Sequence, residues 1–425
     1  MKILFATGKL NTILSATHKI AYQIAKQLQQ NGHQCFICGF SDDIDETIIS
    51  DNDIQIFHLN SPLAVDMARR DYNKFCAKAK TSNKNDIRKK YVLQHPFKSF
   101  LISYSNSKYF NSDKRAIEYA KRAKEIITTQ NIDIVVSFYR PFKETFYLCN
   151  LLEGIVPVCL YQADPWGLHR LPGLAQNTDL HIQQETSIFE ISHHIITTPA
   201  LYQLYKQNPF YSYYVNKMTV ANFPNIKPAE ENSEESVFCF DADYTNLLFC
   251  GLLEDEYRSP EKFLQTVSEL LADGEKIKVN FLGTSTSKTL QSFCEKYPQN
   301  VLHHEAVSFK RAAATMAKAD FLLNLSNTLD NQVPSKIFDY FSIGKPVVNV
   351  QKITNCPSRE YFDRYPLAFT FEDFAPDKNG LKDFLAKTKG KKEKYETVKE
   401  LFKDATIEYV AEQTEKVLTD ILNDK

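Results

Sequence analysis

A chain of 425 residues, 43% hydrophobic and 24% charged, has the balance of a globular protein with two or three domains. A net charge of −1 argues against a nucleic-acid-binding protein, and a mean hydropathy of −0.37 with no apolar run near the ~20 residues of a bilayer span argues against a membrane-spanning one. The apolar run at Met1–Gly8 is too short for a signal peptide, and nine scattered cysteines, an odd number, suit reduced thiols, so a cytoplasmic protein is expected.

Residues 3–6 are a short apolar run that predicts a strand ending at Thr7-Gly8. Ala16, Ile20, Ala21, Ile24, Ala25 and Leu28 then recur at helical spacing, with Gly32 at the C-cap position. Cys35-Phe36-Ile37-Cys38-Gly39-Phe40 reads as the next strand, and no second cysteine pair completes a zinc set with its CxxC. Further strands are predicted at 54–59, 134–138, 157–161, 194–198 and 217–221, with a helix built on Ala116, Ile117, Ala120, Ile126 and Ile127. Residues 61–125 carry sixteen Lys/Arg against six Asp/Glu, an excess of ten. That stretch is either a solvated helical surface or a basic face for an anionic membrane or a lipid-phosphate acceptor.

Residues 223–243 are turn-rich and then acidic, the composition of a linker. They contain Asp241-Ala242-Asp243, a pattern short enough to arise by chance, so no metal ligands are assigned and no cofactor is expected. A second alternation follows, with strands at 247–250, 278–282, 321–325, 347–350 and 368–371 and helices at 261–272 and 310–318. From Glu393 the apolar residues return to helical spacing. The fold class is therefore α/β, two doubly wound, Rossmann-like domains facing a cleft. The domains are 1–225, a linker at 226–243, 244–392, and a C-terminal helical segment, 393–425.

Ligands of open α/β sheets bind beyond the carboxyl ends of strands. After the strand at 321–325 comes Val333-Pro334-Ser335-Lys336, in which Pro334 and Ser335 suit a helix start. Lys336 in the first turn adds an ammonium to the helix N-terminus, a combination that suits a phosphate. Asp339, one turn further, suits ribose hydroxyls, and Gly344-Lys345-Pro346 ends the helix. Tyr139-Arg140-Pro141, after the strand at 134–138, is a weaker candidate for binding an anionic group.

The segment around Lys336, Asp339 and Gly344 resembles the nucleotide-sugar-binding signature of GT-B glycosyltransferases, the family 4-like group in particular. Asp339 matches the second acid of that signature, and Asn331, eight positions earlier, stands where the group usually has Glu. The resemblance implies an N-terminal acceptor domain, a nucleotide-sugar domain and a C-terminal helix returning to the first domain. It further implies that Gly8, Gly251, Arg258, Ser259, Asn331, Ser335, Lys336 and Asp339 lie on the donor side, and that Lys9, His18, Arg140 and Trp166 lie on the acceptor side. Residues just after the strand at 157–161 contact the reacting sugar in that group, which makes Asp164 and His169 the catalytic candidates. Two of these have plainer readings beside the implied ones: His18 as a helix-face histidine and Asp164 as a turn residue before Pro165.

The function so implied is metal-independent, retaining transfer of a sugar from a nucleotide-diphosphate donor to a glycan or lipid-linked acceptor, in the cytoplasm and with room for a peripheral place on the inner membrane face. A nucleotide-sugar 2-epimerase and a non-catalytic nucleotide-sugar or glycan-binding protein remain open beside it.

Overall fold

A computed structural model of the chain describes residues 1–10, 16–41, 47–60, 63–78, 84–104, 113–140, 142–168, 178–228 and 235–424. It divides into two units, Met1–Pro224 with Ile407–Lys425, and Asn225–Thr406.

The first unit begins with β1 (Lys2–Leu10), α1 (Ala16–Gln30), β2 (Gln34–Ser41), β3 (Thr47–Asp51) and β4 (Ile54–Leu59). Four helices follow, α2 (Ala64–Lys78), α3 (Lys84–Gln94), α4 (Pro96–Tyr104) and α5 (Asp113–Gln130). Then come β5 (Ile134–Phe138), α6 (Phe142–Leu152), β6 (Val158–Gln162), α7 (Thr178–Ile191), β7 (His194–Thr197), α8 (Pro199–Gln207) and β8 (Met218–Val220). The strands form one sheet in the order β3-β4-β2-β1-β5-β6-β7-β8. Every pairing is parallel except that of β3 with β4. Helices on both faces bury the strands, which is why β1, β5 and β6 read as unbroken apolar runs in the sequence.

The second unit comprises β9 (Thr245–Cys250), α9 (Asp255–Arg258), α10 (Glu261–Ala272), β10 (Ile277–Leu282), α11 (Lys288–Lys296), β11 (Val301–His304), α12 (Phe309–Lys318) and β12 (Phe321–Leu325). It continues through α13 (Lys336–Ile343), β13 (Val347–Gln351), α14 (Arg359–Arg364), β14 (Ala368–Glu372), α15 (Lys378–Thr388) and α16 (Tyr395–Leu401). Its sheet is all parallel, in the order β11-β10-β9-β12-β13-β14. The last helix, α17 (Ile407–Asn423), belongs to the first unit. Its Glu415 meets His33 Nε2 at 2.9 Å and accepts from Asn31 Nδ2 at 2.6 Å, just beyond the end of α1.

The alternation read from the sequence holds, with local differences. The residues Thr7–Leu10, expected as a loop, continue β1, with a register shift against β2 between Ala6 and Lys9. The helical periodicity after Glu393 is broken. Phe402 is buried in the second unit, stacked on Phe341 at 4.7 Å, and only past Thr406 does the chain join the first unit. The described part of the stretch expected as a linker, 226–243, also belongs to the second unit: Ile226 is buried and pairs with Thr406, and Val237 N–H donates to Thr315 Oγ1 at 3.0 Å.

Candidate functional site

In the second unit the chain moves outward from β9 through β10 to β11, then returns to the other side of β9 on β12. The switch point lies between β9 and β12, where ligands of doubly wound sheets bind. Several of the expected donor residues converge on it. Lys336 Nζ donates to the Cys250 carbonyl at 2.5 Å. Gly251 follows with φ of 150°, and a Cβ there would lie 3.0 Å from that ammonium, so glycine leaves Lys336 its room. Tyr340, which the motif did not single out, is buried with its hydroxyl 3.3 Å from both the Cys250 nitrogen and oxygen. It fastens α13 to the end of β9.

Arg258 Nε donates to Asn327 Oδ1 at 2.5 Å, so it ties α9 to the loop after β12. It also stands close enough to Tyr340 to oppose the upward push that burial gives the phenol's pKa. Ser335 is the N-cap of α13. Its side chain makes no capping bond, and its carbonyl accepts from Asn225 Nδ2 at 3.1 Å. Asp339 is half-buried in the first turn, Asn331 is buried in the loop before it, and Gly344 ends the helix in the left-handed conformation at φ 79°. Ser259 serves locally: its hydroxyl accepts from Glu261 N–H at 3.3 Å at the start of α10. Asp241 pairs with Lys278 at 2.8 Å and accepts from Asp243 N–H at 3.1 Å, which makes the DxD a turn closed on an ammonium.

In the first unit the switch point lies between β1 and β5. Gly8, at φ 68°, donates its N–H to Tyr119 Oη at 3.0 Å. The side chain of Lys9 and the whole of His169 lie outside the described residues. Beyond β5 and β6 the structure joins two residues that the sequence offered separately: Arg140 Nε is 3.1 Å from Asp164 Oδ2. The buried Tyr139 phenol is the other group that acts on Asp164. Burial raises the pKa of Asp164, while Arg140 and Tyr139 hold it down. The result is a largely enclosed carboxylate with a guanidinium on it.

No family model and no curated protein matches the chain. Solved structures do. It aligns with sucrose-phosphate synthase from Thermosynechococcus elongatus over 100% of both chains, at a TM-score of 0.64 and 11% identity. It aligns with the catalytic domain of starch synthase IV from Arabidopsis thaliana, bound to ADP and acarbose, over 99% of both, at 0.62 and 9%. An alpha,alpha-trehalose-phosphate synthase (UDP-forming) from Burkholderia xenovorans, in complex with glucose-6-phosphate, aligns over 99% of this chain and 100% of its own, at 0.63 and 10%. The chain has the GT-B fold.

Within the first half of this GT-B chain, the loop that carries Asp164 is organised by a residue the sequence did not reveal. Glu185 on α7 is fully buried and takes five hydrogen bonds. Its Oε1 accepts from Gln162 Nε2 (2.7 Å), Trp166 N–H (2.8 Å) and Tyr205 Oη (2.9 Å); its Oε2 accepts from Gly167 N–H (2.8 Å) and Tyr211 Oη (2.6 Å). Burial pushes the pKa of Glu185 up, and these donors oppose it. Gln162 Nε2 also donates to the Asp164 carbonyl at 3.0 Å. Gly167 has no room for a side chain, since a Cβ would meet Ile182 and Tyr211 at 2.5 Å. Trp166, expected on the acceptor side, is buried and stacked between Phe142 (5.5 Å) and His181 (5.1 Å).

His18 is buried within α1, and its pKa falls to about 4 through burial and then the charge of nearby His58. The unfolded chain takes up this proton near pH 6.5 and the folded chain only near 4, so stability is complete above that window and is lost as pH falls through it. The expected loss from this group is about 3 kcal/mol below pH 4. Urea unfolding of His18→Gln across pH 4–7 should show a flatter pH dependence than the unaltered protein. Parallel curves would place the depressed group elsewhere.

Proposed function

We propose that this GT-B protein is a glycosyltransferase that moves a sugar from a nucleotide-diphosphate donor to a glycan or lipid-linked acceptor, with retention and without a metal ion. The observation that carries the reading is Lys336, held by the Cys250 carbonyl beside Gly251 at the first turn of α13. Departure of a nucleoside diphosphate needs positive charge where negative charge develops, and an ammonium with a helix N-terminus supplies it. Arg258, on the loop side of the same strand ends, adds a second cation, and Asp339, in the first turn of α13, would take a ribose hydroxyl. In the first unit, Asp164 would orient a hydroxyl or stabilise positive charge on the sugar. Proteins of like fold are described with ADP and acarbose, with UDP-2-fluoro glucose and with glucose-6-phosphate, and ligands of these classes are the first to try. The basic excess over residues 61–125 favours an acceptor at an anionic surface.

Calorimetry with UDP and ADP in EDTA tests the donor half. Lys336→Ala is expected to weaken the preferred nucleotide by about tenfold or more, since hydrogen bonds to charged groups are worth roughly 1.5–3 kcal/mol. Unchanged affinity would remove Lys336 from the site. A second reading, nucleotide-sugar binding without turnover, is favoured by the amide of Asn331 where the resembling group has an acid. Donor that binds and is never consumed, whatever the acceptor, would select it.

A further inference from the structure

Helices α2, α3 and α4 form a layer with two contrasting sides. Inward, Tyr91 is buried, lies edge-on to Tyr72 (4.9 Å) and Phe75 (5.1 Å), and donates to the Ala68 carbonyl at 3.3 Å. Lys98 on α4 pairs with Asp71 on α2. Outward, Leu93 is 83% exposed, Phe97 71%, Phe100 62% and Val92 44%. His95 N–H donates to the Tyr91 carbonyl at 2.8 Å, closing α3, and its own carbonyl accepts from Ser99 N–H at 2.9 Å, opening α4, so His95 is the joint between the two helices. Leu93 at the end of α3 and Phe97 and Phe100 on α4 therefore expose an apolar stripe on either side of this joint. Arg88, Lys89 and Lys90 are exposed on the preceding turn, and the stretch 88–104 contains no Asp or Glu.

Large apolar side chains scattered singly on a surface are ordinary; a cluster within eight residues marks an interaction site. The charge beside it selects the partner. Cations without a single acid fit phosphate headgroups, and aromatic and leucine side chains next to them fit the interfacial layer just beneath. Among the described residues no helix is long and apolar enough to cross a membrane, so contact of this kind stays at the surface.

We propose that Leu93, Phe97 and Phe100 form a wedge that enters the interface of an anionic bilayer, with Arg88, Lys89 and Lys90 on the headgroup phosphates. This rests on the surface-facing reading of residues 61–125 and adds an apolar component to it. The attraction of the basic residues is screened by salt within a Debye length of ~8 Å; the wedge is not.

Sedimentation of the full-length protein with phosphatidylcholine vesicles, with and without phosphatidylglycerol, at low and high salt, tests the proposal. The unaltered protein is expected to bind the anionic vesicles at low salt and to keep part of that binding at high salt. Leu93→Ser with Phe97→Ser and Phe100→Ser should reduce binding by about tenfold or more at both salts. Arg88→Gln with Lys89→Gln and Lys90→Gln should act mainly at low salt. Both triple variants change exposed side chains, and their unfolding midpoints should stay close to that of the unaltered protein. Binding abolished by salt and unaffected by the serine variant would overturn the wedge and leave the charge-only reading standing. No binding to anionic vesicles would overturn both. Concentration-dependent dimerisation that the serine variant abolishes, without vesicle binding, would assign the stripe to a second copy of the chain and overturn the proposal.

Discussion

Asp164→Asn is expected to lower the rate of sugar transfer by about 10²-fold, or about 2.7 kcal/mol of transition-state stabilisation, the order found when one charged contact to a reacting centre is removed. The substitution keeps the shape of the side chain and its place before Pro165, and removes the charge that meets Arg140 at 3.1 Å. Nucleotide affinity, read by calorimetry, should stay near that of the unaltered protein, so the loss appears in kcat. Since burial raises the pKa of Asp164, the acidic limb of the pH–rate profile should lie above the ordinary aspartate range, with rate rising as the carboxylate ionises. A fully active Asn variant would remove Asp164 from the chemistry. A poorly folded one would make it the turn residue that its position before proline also suits.

Glu185→Ala is expected to cost about 3–5 kcal/mol of stability, measured as the shift in urea midpoint at constant slope. It strips one acceptor from five buried donors, two of them backbone N–H groups of the Asp164 loop. Unmatched donors in a protein interior retain their full desolvation cost. Glu185→Gln keeps the volume and one acceptor oxygen while turning an NH₂ toward donors, and should cost less, about 1–3 kcal/mol. An alanine variant as stable as the unaltered protein would mean that water replaces the carboxylate and that the loop holds itself. Catalysis should suffer in both variants through the displaced loop, so their activity is to be compared at temperatures where each is fully folded.

The sheets were legible because parallel strands covered on both faces must be apolar throughout. Ile3-Leu4-Phe5-Ala6, Ile134-Val135-Val136 and Phe321-Leu322-Leu323 have no other economical reading. β3 was not legible, since all five of its residues are exposed and it is held to β4 by backbone pairing, which leaves no apolar period. The break between α16 and α17 was hidden for the opposite reason. Val398, Leu401, Phe402 and Val410 all keep helical spacing, yet Phe402 is buried in one unit and Val410 in the other. A period shows that a face is buried and carries no word on what buries it.

The candidate site divides along the same line. Pro334-Ser335-Lys336 and Gly344 mark the start and end of α13 by local chemistry, which nearby residues set, so Lys336 was placed at a helix N-terminus from the sequence alone. Its bond to Cys250, the fastening of Tyr340 to the same residue, the ion pair of Arg140 with Asp164 and the five donors around Glu185 join residues far apart in the chain. Those pairings depend on strand order and on which loops leave neighbouring strand ends, and nothing in the local pattern of Glu185 on α7 distinguishes a buried anchor from a solvated glutamate. By itself the sequence determined the alternation, the two sheets and the helix that opens with a lysine. Only the tertiary structure decided which polar groups meet, because a buried charge is held by partners that the folded path of the chain brings to it.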